Sequence, residues 1–213
     1  FARLVFAAAA DDIQASLRHN FVGNRRPQAG HPTQNIPRVH VFRTKNNFFQ
    51  MERVFVTGTG VVSALGIGVD SSIAKLRNGE SGIGSAKHFT SKYTETLPFG
   101  EVDLSNDILI DLTNCSDETG VSRTTLLAYL AFGQAIDDSK LTSVELKSIR
   151  TGIISSTTVG GMCHTDELYT DANLKGEPSE YVRSYGLGEH TTRLIKKFEI
   201  GGFSSTINTA CSS

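Results

Sequence analysis

No stretch of the sequence is apolar for the roughly 18 residues that a membrane-spanning helix needs, so no membrane segment is expected. Cysteine is scarce: Cys115, Cys163 and Cys211 are odd in number and far apart. That excludes a disulfide framework and fits a reducing compartment, so the expected location is cytoplasmic. An excess of either charge is also lacking. The chain has 21 Lys and Arg against 22 Asp and Glu, a formal net charge of −1. Such a balance gives no reason to invoke nucleic acid. What is present suits a soluble globular protein: 213 residues, 38% hydrophobic and 20% charged, enough for one large domain or two small ones.

Charge divides the chain near Met51. Residues 1–50 hold seven Lys and Arg against two Asp and Glu, whereas residues 51–213 hold fourteen against twenty. The first segment also carries His19, His31 and His40, and Pro27, Pro32 and Pro37 interrupt any hydrophobic period. An Arg-rich, acid-poor leader is the pattern of an organelle transit peptide. The alternative is translated upstream sequence, with Met51 the true start. The second is favoured because an ordered pattern begins almost at once after Met51. Residues 1–50, including the stretch 1–10, are expected to be largely disordered. The organised domain is expected to be 51–213.

From Arg53 the pattern is α/β. Val54-Phe55-Val56-Thr57 reads as a short β-branched strand, followed by Gly58, Gly60, Gly66 and Gly68. Asp70 or Ser71 is placed to cap a helix from about Ser72 to Asn78. Ile108-Leu109-Ile110 reads as a short strand. Ser122 or Thr124 opens the strongest helix, to about Ser139. Its broad face is Leu126, Leu127, Leu130, Ala131, Ala135 and Ile136. Residues 145–149 read as a helical turn and 151–157 as a strand around Ile153-Ile154. Residues 164–170 and 179–186 read as short helices. Residues 190–198 read as a helix burying Leu194, Ile195 and Phe198. A last strand, Ser204 to Asn208, leads to Cys211.

Thr57-Gly58-Thr59-Gly60-Val61-Val62-Ser63 resembles a dinucleotide fingerprint, but Ser63 stands where the third glycine belongs. These glycines are better read as turns and close backbone contacts. Cys163-His164 has no C-x-x-C or spaced histidine beside it, so no metal site is expected. The adjacent acids Asp117-Glu118 and Asp137-Asp138 do not converge across a cleft by adjacency, and read as solvated faces or caps. Lys196-Lys197 reads as a solvated helix face. Cys211 differs. It follows a β-like run and sits in Asn208-Thr209-Ala210-Cys211-Ser212-Ser213, among small residues that let a substrate approach sulfur. A helix beginning there would favour thiolate over thiol. The chemistry fits a nucleophile. His190 is the nearest preceding histidine, and its position gives no specific reason to make it the base.

From Met51 to Ser213 the chain resembles the N-terminal half of a β-ketoacyl-acyl carrier protein synthase, a condensing enzyme of thiolase-like fold. The resemblance rests on ordered motifs: the run from Val54 to Gly66, Gly79-Glu80-Ser81-Gly82-Ile83, and Ser122-Arg123 leading to Gln134-Ala135-Ile136. Val159-Gly160-Gly161 and Asn208-Thr209-Ala210-Cys211-Ser212-Ser213 complete it. It implies a layered αβαβα fold of which this chain supplies the first half, ending at the nucleophile. It implies that Cys211 attacks an acyl thioester delivered on the phosphopantetheine of acyl carrier protein, with the Cys211 backbone N–H in the oxyanion hole. The acyl group then condenses with a malonyl unit as carbon dioxide leaves. Val159 falls beside the family's acyl pocket, with Met162 a further candidate. The family is homodimeric and needs no intrinsic cofactor.

The family's later histidines and lysine have no counterpart here, so these residues alone are expected not to condense substrates. Bacterial fatty-acid members carry basic, carrier-docking residues where this chain reads Asp117-Glu118-Thr119-Gly120. The pathway implied is fatty-acid or polyketide/polyene synthesis. Two alternatives stay open: a thiolase-type acyl-CoA acyltransferase, which shares the fold and the cysteine, and a non-enzymatic dimerisation partner.

Overall fold

The computed structural model describes residues 2–9, 54–158, 160–176 and 178–209. Its strands are β1 (Ala2–Ala9), β2 (Val54–Ser63), β3 (Gly66–Ile67), β4 (Ile153–Ser156) and β5 (Ser204–Ile207). Its helices are α1 (Val69–Arg77), α2 (Asn106–Thr113), α3 (Arg123–Ser139), α4 (Ser143–Leu146), α5 (Thr165–Thr170) and α6 (Glu189–Phe198). The strands form two sheets, ordered β1-β2-β3 and β4-β5. β1 runs parallel to β2, β3 is antiparallel to β2, and β4 and β5 are parallel.

α3 is the centre. Ser122 caps it, its hydroxyl accepting from the Thr125 N–H at 3.3 Å. Leu126, Leu127, Ala131 and Ala135 are buried as the spacing requires, and Tyr129 joins them. The core gathers Val62, Val102, Leu109, Leu126, Leu127, Ile153, Leu194 and Ile200 around this helix. Because Ser122 is itself buried, Ser122→Ala leaves a donor unserved. It should cost about 1 kcal/mol or somewhat more of unfolding free energy in urea titration.

β2 is longer than the four-residue strand expected, and the glycines explain why. Gly58, Gly60 and Val62 alternate on its buried face. They make no turn there. A Cβ on Gly60 would overlap the Ala131 carbonyl oxygen and lie 2.9 Å from the Ala135 nitrogen. Without side chains, α3 lies directly on the strand backbone. The helix also serves the strand's amides. Gln134 Oε1 accepts from Val61 N–H at 3.1 Å, and Asp138 Oδ2 from Thr59 N–H at 2.9 Å. Asp138, expected on a solvated face or at a cap, therefore ties helix to strand.

Other departures have local causes. Ile108-Leu109-Ile110 lies in α2, not a strand. Ser105 caps that helix, Asn114 ends it in the left-handed region at φ 50°, and Leu109 and Thr113 are buried one turn apart. α1 begins at Val69 after Gly68, with no side-chain cap, so Asp70 sits in its first turn, where the helix dipole favours an acid. Of 179–186 only Glu180–Arg183 is helical, as a 3-10 turn. Beyond Thr170 the chain continues as a π segment, Asp171–Lys175. Ala2–Ala9 forms a strand where disorder was expected, because its extended backbone pairs with β2 from Val54 to Val62. The rest of residues 1–50 lies outside the described residues. Among the described residues no helix is long and apolar enough to cross a membrane.

Candidate functional site

β4 and β5 lie side by side in register, Ile153 against Ser204 through Ser156 against Ile207. Two loops leave the same carboxyl end of this parallel pair, the usual place for ligands in such sheets. One begins at Thr157, whose N–H donates to the Ile207 carbonyl at 3.2 Å. The other is Asn208-Thr209. The Asn208 side-chain amide donates to the Thr157 carbonyl at 2.9 Å and to that of Thr158 at 3.3 Å. The segments holding Val159 and Cys211 are thus stitched together at their roots, although both of those residues lie outside the described residues. The first loop turns sharply at Gly160, which has φ 59°, and the Thr157 hydroxyl accepts from its N–H at 2.9 Å. Met162 follows in a 3-10 turn and is about half exposed.

Beneath the strand pair lies a polar cluster that the sequence did not flag. Ser155 Oγ is 2.8 Å from His190 Nε2 and 2.5 Å from Thr191 Oγ1, and Thr191 Oγ1 is 2.6 Å from Thr206 Oγ1. His190 and Thr191 are buried in the first turn of α6. The available signal was the hydroxyl-rich strands themselves. Ser155 and Thr206 are half-buried where α6 packs on the strands, and hydroxyls there need partners.

Burial pushes His190 below its ordinary value of 6.5. The Leu187 backbone partly offsets this, though it falls short of a full hydrogen bond to Nδ1. His164 is pushed down by burial as well, with Glu167 and Glu180 acting in the opposite direction. Its ring stacks on Tyr181 at 4.0 Å. For both histidines the unfolded chain takes up a proton at higher pH than the folded chain. Stability is therefore full above 6.5 and falls as pH drops through that value toward the folded pKa. The melting temperature should fall by roughly 2–4 °C between about pH 7.5 and about pH 5.5. His190→Gln should flatten that slope; an unchanged slope would remove His190 as a source.

Of the acids and lysines expected at the surface, Glu118 and Lys197 join a second network, while Asp117, Asp137 and Lys196 are exposed. Glu118 accepts from Arg193 Nη1 at 3.1 Å and from the Tyr129 hydroxyl at 3.0 Å. Arg193 also pairs with Glu189 at 3.1 Å. Lys197 Nζ sits 4.7 Å from the Tyr129 ring centroid and 3.9 Å from Glu118. Burial, and then the Glu118 carboxylate, push the Tyr129 hydroxyl well above the usual tyrosine range. Glu118 and Lys197 thus fasten α6 to the segment before α3. A separate cleft of about 410 Å3 is lined by Asp166, Glu167, Asp171 and Glu180, with Tyr181 at its wall. Among the described residues, none from the two loops above lines it. Among the described residues no three His, Cys, Asp or Glu side chains gather to hold a metal ion.

The family model described as beta-ketoacyl synthase, N-terminal domain, matches residues 51–213. The 3-oxoacyl-acyl-carrier-protein synthase 1 of Haemophilus influenzae is 24% identical over 166 residues. That of Escherichia coli K12 is 26% identical over 166 residues. Each alignment covers 76% of this chain and 40% of the relative, so the chain spans about two fifths of their length. Among solved structures, the ishigamide ketosynthase/chain length factor superposes with TM-score 0.53 at 21% identity, over 72% of this chain and 39% of that one. A ketosynthase bound to a hexaketide, in complex with its type II polyketide synthase acyl-carrier protein, gives TM-score 0.50 at 20% identity. That match covers 73% of this chain and 38% of that one. At such identities these likenesses speak for the fold alone.

Proposed function

Because the chain belongs to the β-ketoacyl synthase N-terminal domain family, we propose that it is the amino-terminal part of a ketosynthase with Cys211 as its nucleophile. The Cys211 thiolate attacks the carbonyl of an acyl thioester on the phosphopantetheine arm of acyl carrier protein. The tetrahedral oxyanion is held partly by the Cys211 backbone N–H, and the carrier thiol leaves. Decarboxylation of a malonyl thioester then supplies the carbanion that attacks the acyl-enzyme. A carbon–carbon bond forms, carbon dioxide departs and the Cys211 thiolate is regenerated. The groups that promote decarboxylation belong to the second half of a layered αβαβα fold. Condensation is therefore a property of the whole protein.

The observation that carries this reading is the β4–β5 pair. Its register brings the Thr157 and Asn208 loops to one end, the first leading to Val159 and the second to Cys211. Val159, and after it Met162, would shape the acyl pocket. No intrinsic cofactor is required. The acid-rich stretch before α3 is a smaller obstacle to an acidic carrier than the sequence suggests, since Arg193 and Lys197 hold the Glu118 carboxylate. Pairing of two copies near β5 would complete a homodimer. The pathway is fatty-acid or polyketide/polyene synthesis, and the expected location is cytoplasmic, with organelle targeting by residues 1–50 the alternative.

The test is incubation of the full-length protein with acyl-carrier-protein thioesters and, separately, acyl-CoA, followed by peptide mass analysis. An acyl adduct on Cys211 from the carrier substrate supports the proposal. Loading from acyl-CoA alone would move the reading to a thiolase-type acyltransferase. No adduct from either donor would defeat both.

A further inference from the structure

We propose that His190, through Ser155, Thr191 and Thr206, positions the strand that delivers Cys211, and so tunes the reactivity of that cysteine. The inference rests on the reading of Cys211 as the nucleophile. Ser155 and Thr206 are cross-strand partners in the β4–β5 register. Each meets the same hydroxyl, that of Thr191 in the first turn of α6. His190, one residue earlier, closes the cluster on Ser155. His190 is 5% exposed and Thr191 3%, so the α6 side of the cluster is closed to water, while Ser155 and Thr206 are half-buried.

The choice of residues is informative. Apolar side chains would hold α6 against the strands more cheaply, because buried polar groups cost free energy unless each is paired. They would also leave the helix free to slide by a fraction of an ångström. A hydroxyl chain does not, since its bonds are short and directional. A neutral imidazole accepting at Nε2 lets each hydroxyl donate once, from Thr206 to Thr191, from Thr191 to Ser155 and from Ser155 to His190. Burial favours that neutral form. The nearest charged neighbours on α6, Glu189 and Arg193, pair with each other. From β4 and β5, Ser155 and Thr206 are the side chains bonded into the cluster.

Thr206 lies five positions before Cys211, and Asn208 fixes the intervening backbone to Thr157 and Thr158. A change in the seat of β5 therefore passes along a backbone tethered to within three residues of the sulfur. His190 Nε2 is already occupied beneath the sheet, which makes it a positioning residue and not the base.

The test compares His190→Leu, His190→Gln and the near-isosteric Thr191→Val in the full-length protein. The rate of Cys211 alkylation by iodoacetamide is followed by peptide mass analysis across pH, alongside thermal melting. His190→Leu and Thr191→Val should each slow Cys211 alkylation by about tenfold near neutral pH, or displace its pH midpoint, because small misplacements carry large kinetic costs. His190→Gln, which still reaches Ser155 with a polar group, should recover most of the rate. If His190→Leu does not fold, Thr191→Val carries the same comparison. Unchanged rates and midpoints in folded variants would overturn the proposal. So would equal losses in His190→Gln and His190→Leu, which would assign the effect to packing. Alkylation needs no acyl donor. A His190-dependent rate in a protein that takes up no acyl group would sink the ketosynthase reading and leave the positioning role standing.

Discussion

Cys211→Ala should abolish acyl loading of the protein, with a loss of at least about a thousandfold in the transfer rate, the scale seen when a covalent nucleophile is removed. No neighbouring group in the sequence can replace it. Ser212 and Ser213 are hydroxyls, whose ionisation lies far above neutral pH without an adjacent base. Cys115 is buried, its sulfur 3.0 Å from the Thr113 hydroxyl, and it belongs to the hydrophobic core. Cys163 lies eight residues beyond Ser155, on the other loop. Cys115→Ala and Cys163→Ala should therefore retain loading, Cys115→Ala with some loss of stability. The measurement is the mass of the intact protein after incubation with an acyl-carrier-protein thioester. Persistent labelling of Cys211→Ala, with the adduct mapped elsewhere, would remove Cys211 from the mechanism.

Gly60→Val should prevent stable folding. Its Cβ would enter the space of the Ala131 carbonyl oxygen, and two further methyl groups would press on the α3 backbone. Backbone cannot swing aside as a side-chain tip can. Overpacking of a tight core costs about 1–3 kcal/mol and occasionally more, and this contact lies at its severe end. The loss also reaches the Gln134 and Asp138 bonds to β2, which need the same close approach. Against a typical total stability of about 5–15 kcal/mol, the folded population should drop steeply in urea titration. Gly84→Ala is the matched control, because an added Cβ there meets nothing within 4 Å and the backbone is not left-handed. It should change stability by no more than about 0.5 kcal/mol. Equal effects at the two positions would mean that the α3–β2 contact does not govern stability.

Some elements were legible because their signals are local. α3 carries a Ser122 cap and a sustained apolar face, and both appear as expected. α6 and the strands around Ile153 and Ser204 were likewise readable from spacing. α2 was misread because Ile108-Leu109-Ile110 is a β-like triplet taken alone. The cap at Ser105 and the Leu109–Thr113 spacing outweigh it. The length of β2 was hidden for a different reason. Glycine in sequence suggests a turn or a close backbone contact, and nothing local says which of the two it is or that α3 makes the contact. The role of Glu118 was equally invisible, since Arg193 lies 75 positions away.

The sequence by itself determined the α/β character after Met51, the family and the candidate nucleophile, because helix caps, strand runs and the Asn208-to-Ser213 motif are contiguous. Tertiary structure alone decided which polar groups meet. It set Ser155 opposite Thr206, brought His190 and Thr191 beneath them, and turned Glu118 toward Arg193. Those contacts join residues 15 to 75 positions apart. Their existence depends on the register of one parallel strand pair and the seat of one helix, which no local pattern of side chains encodes.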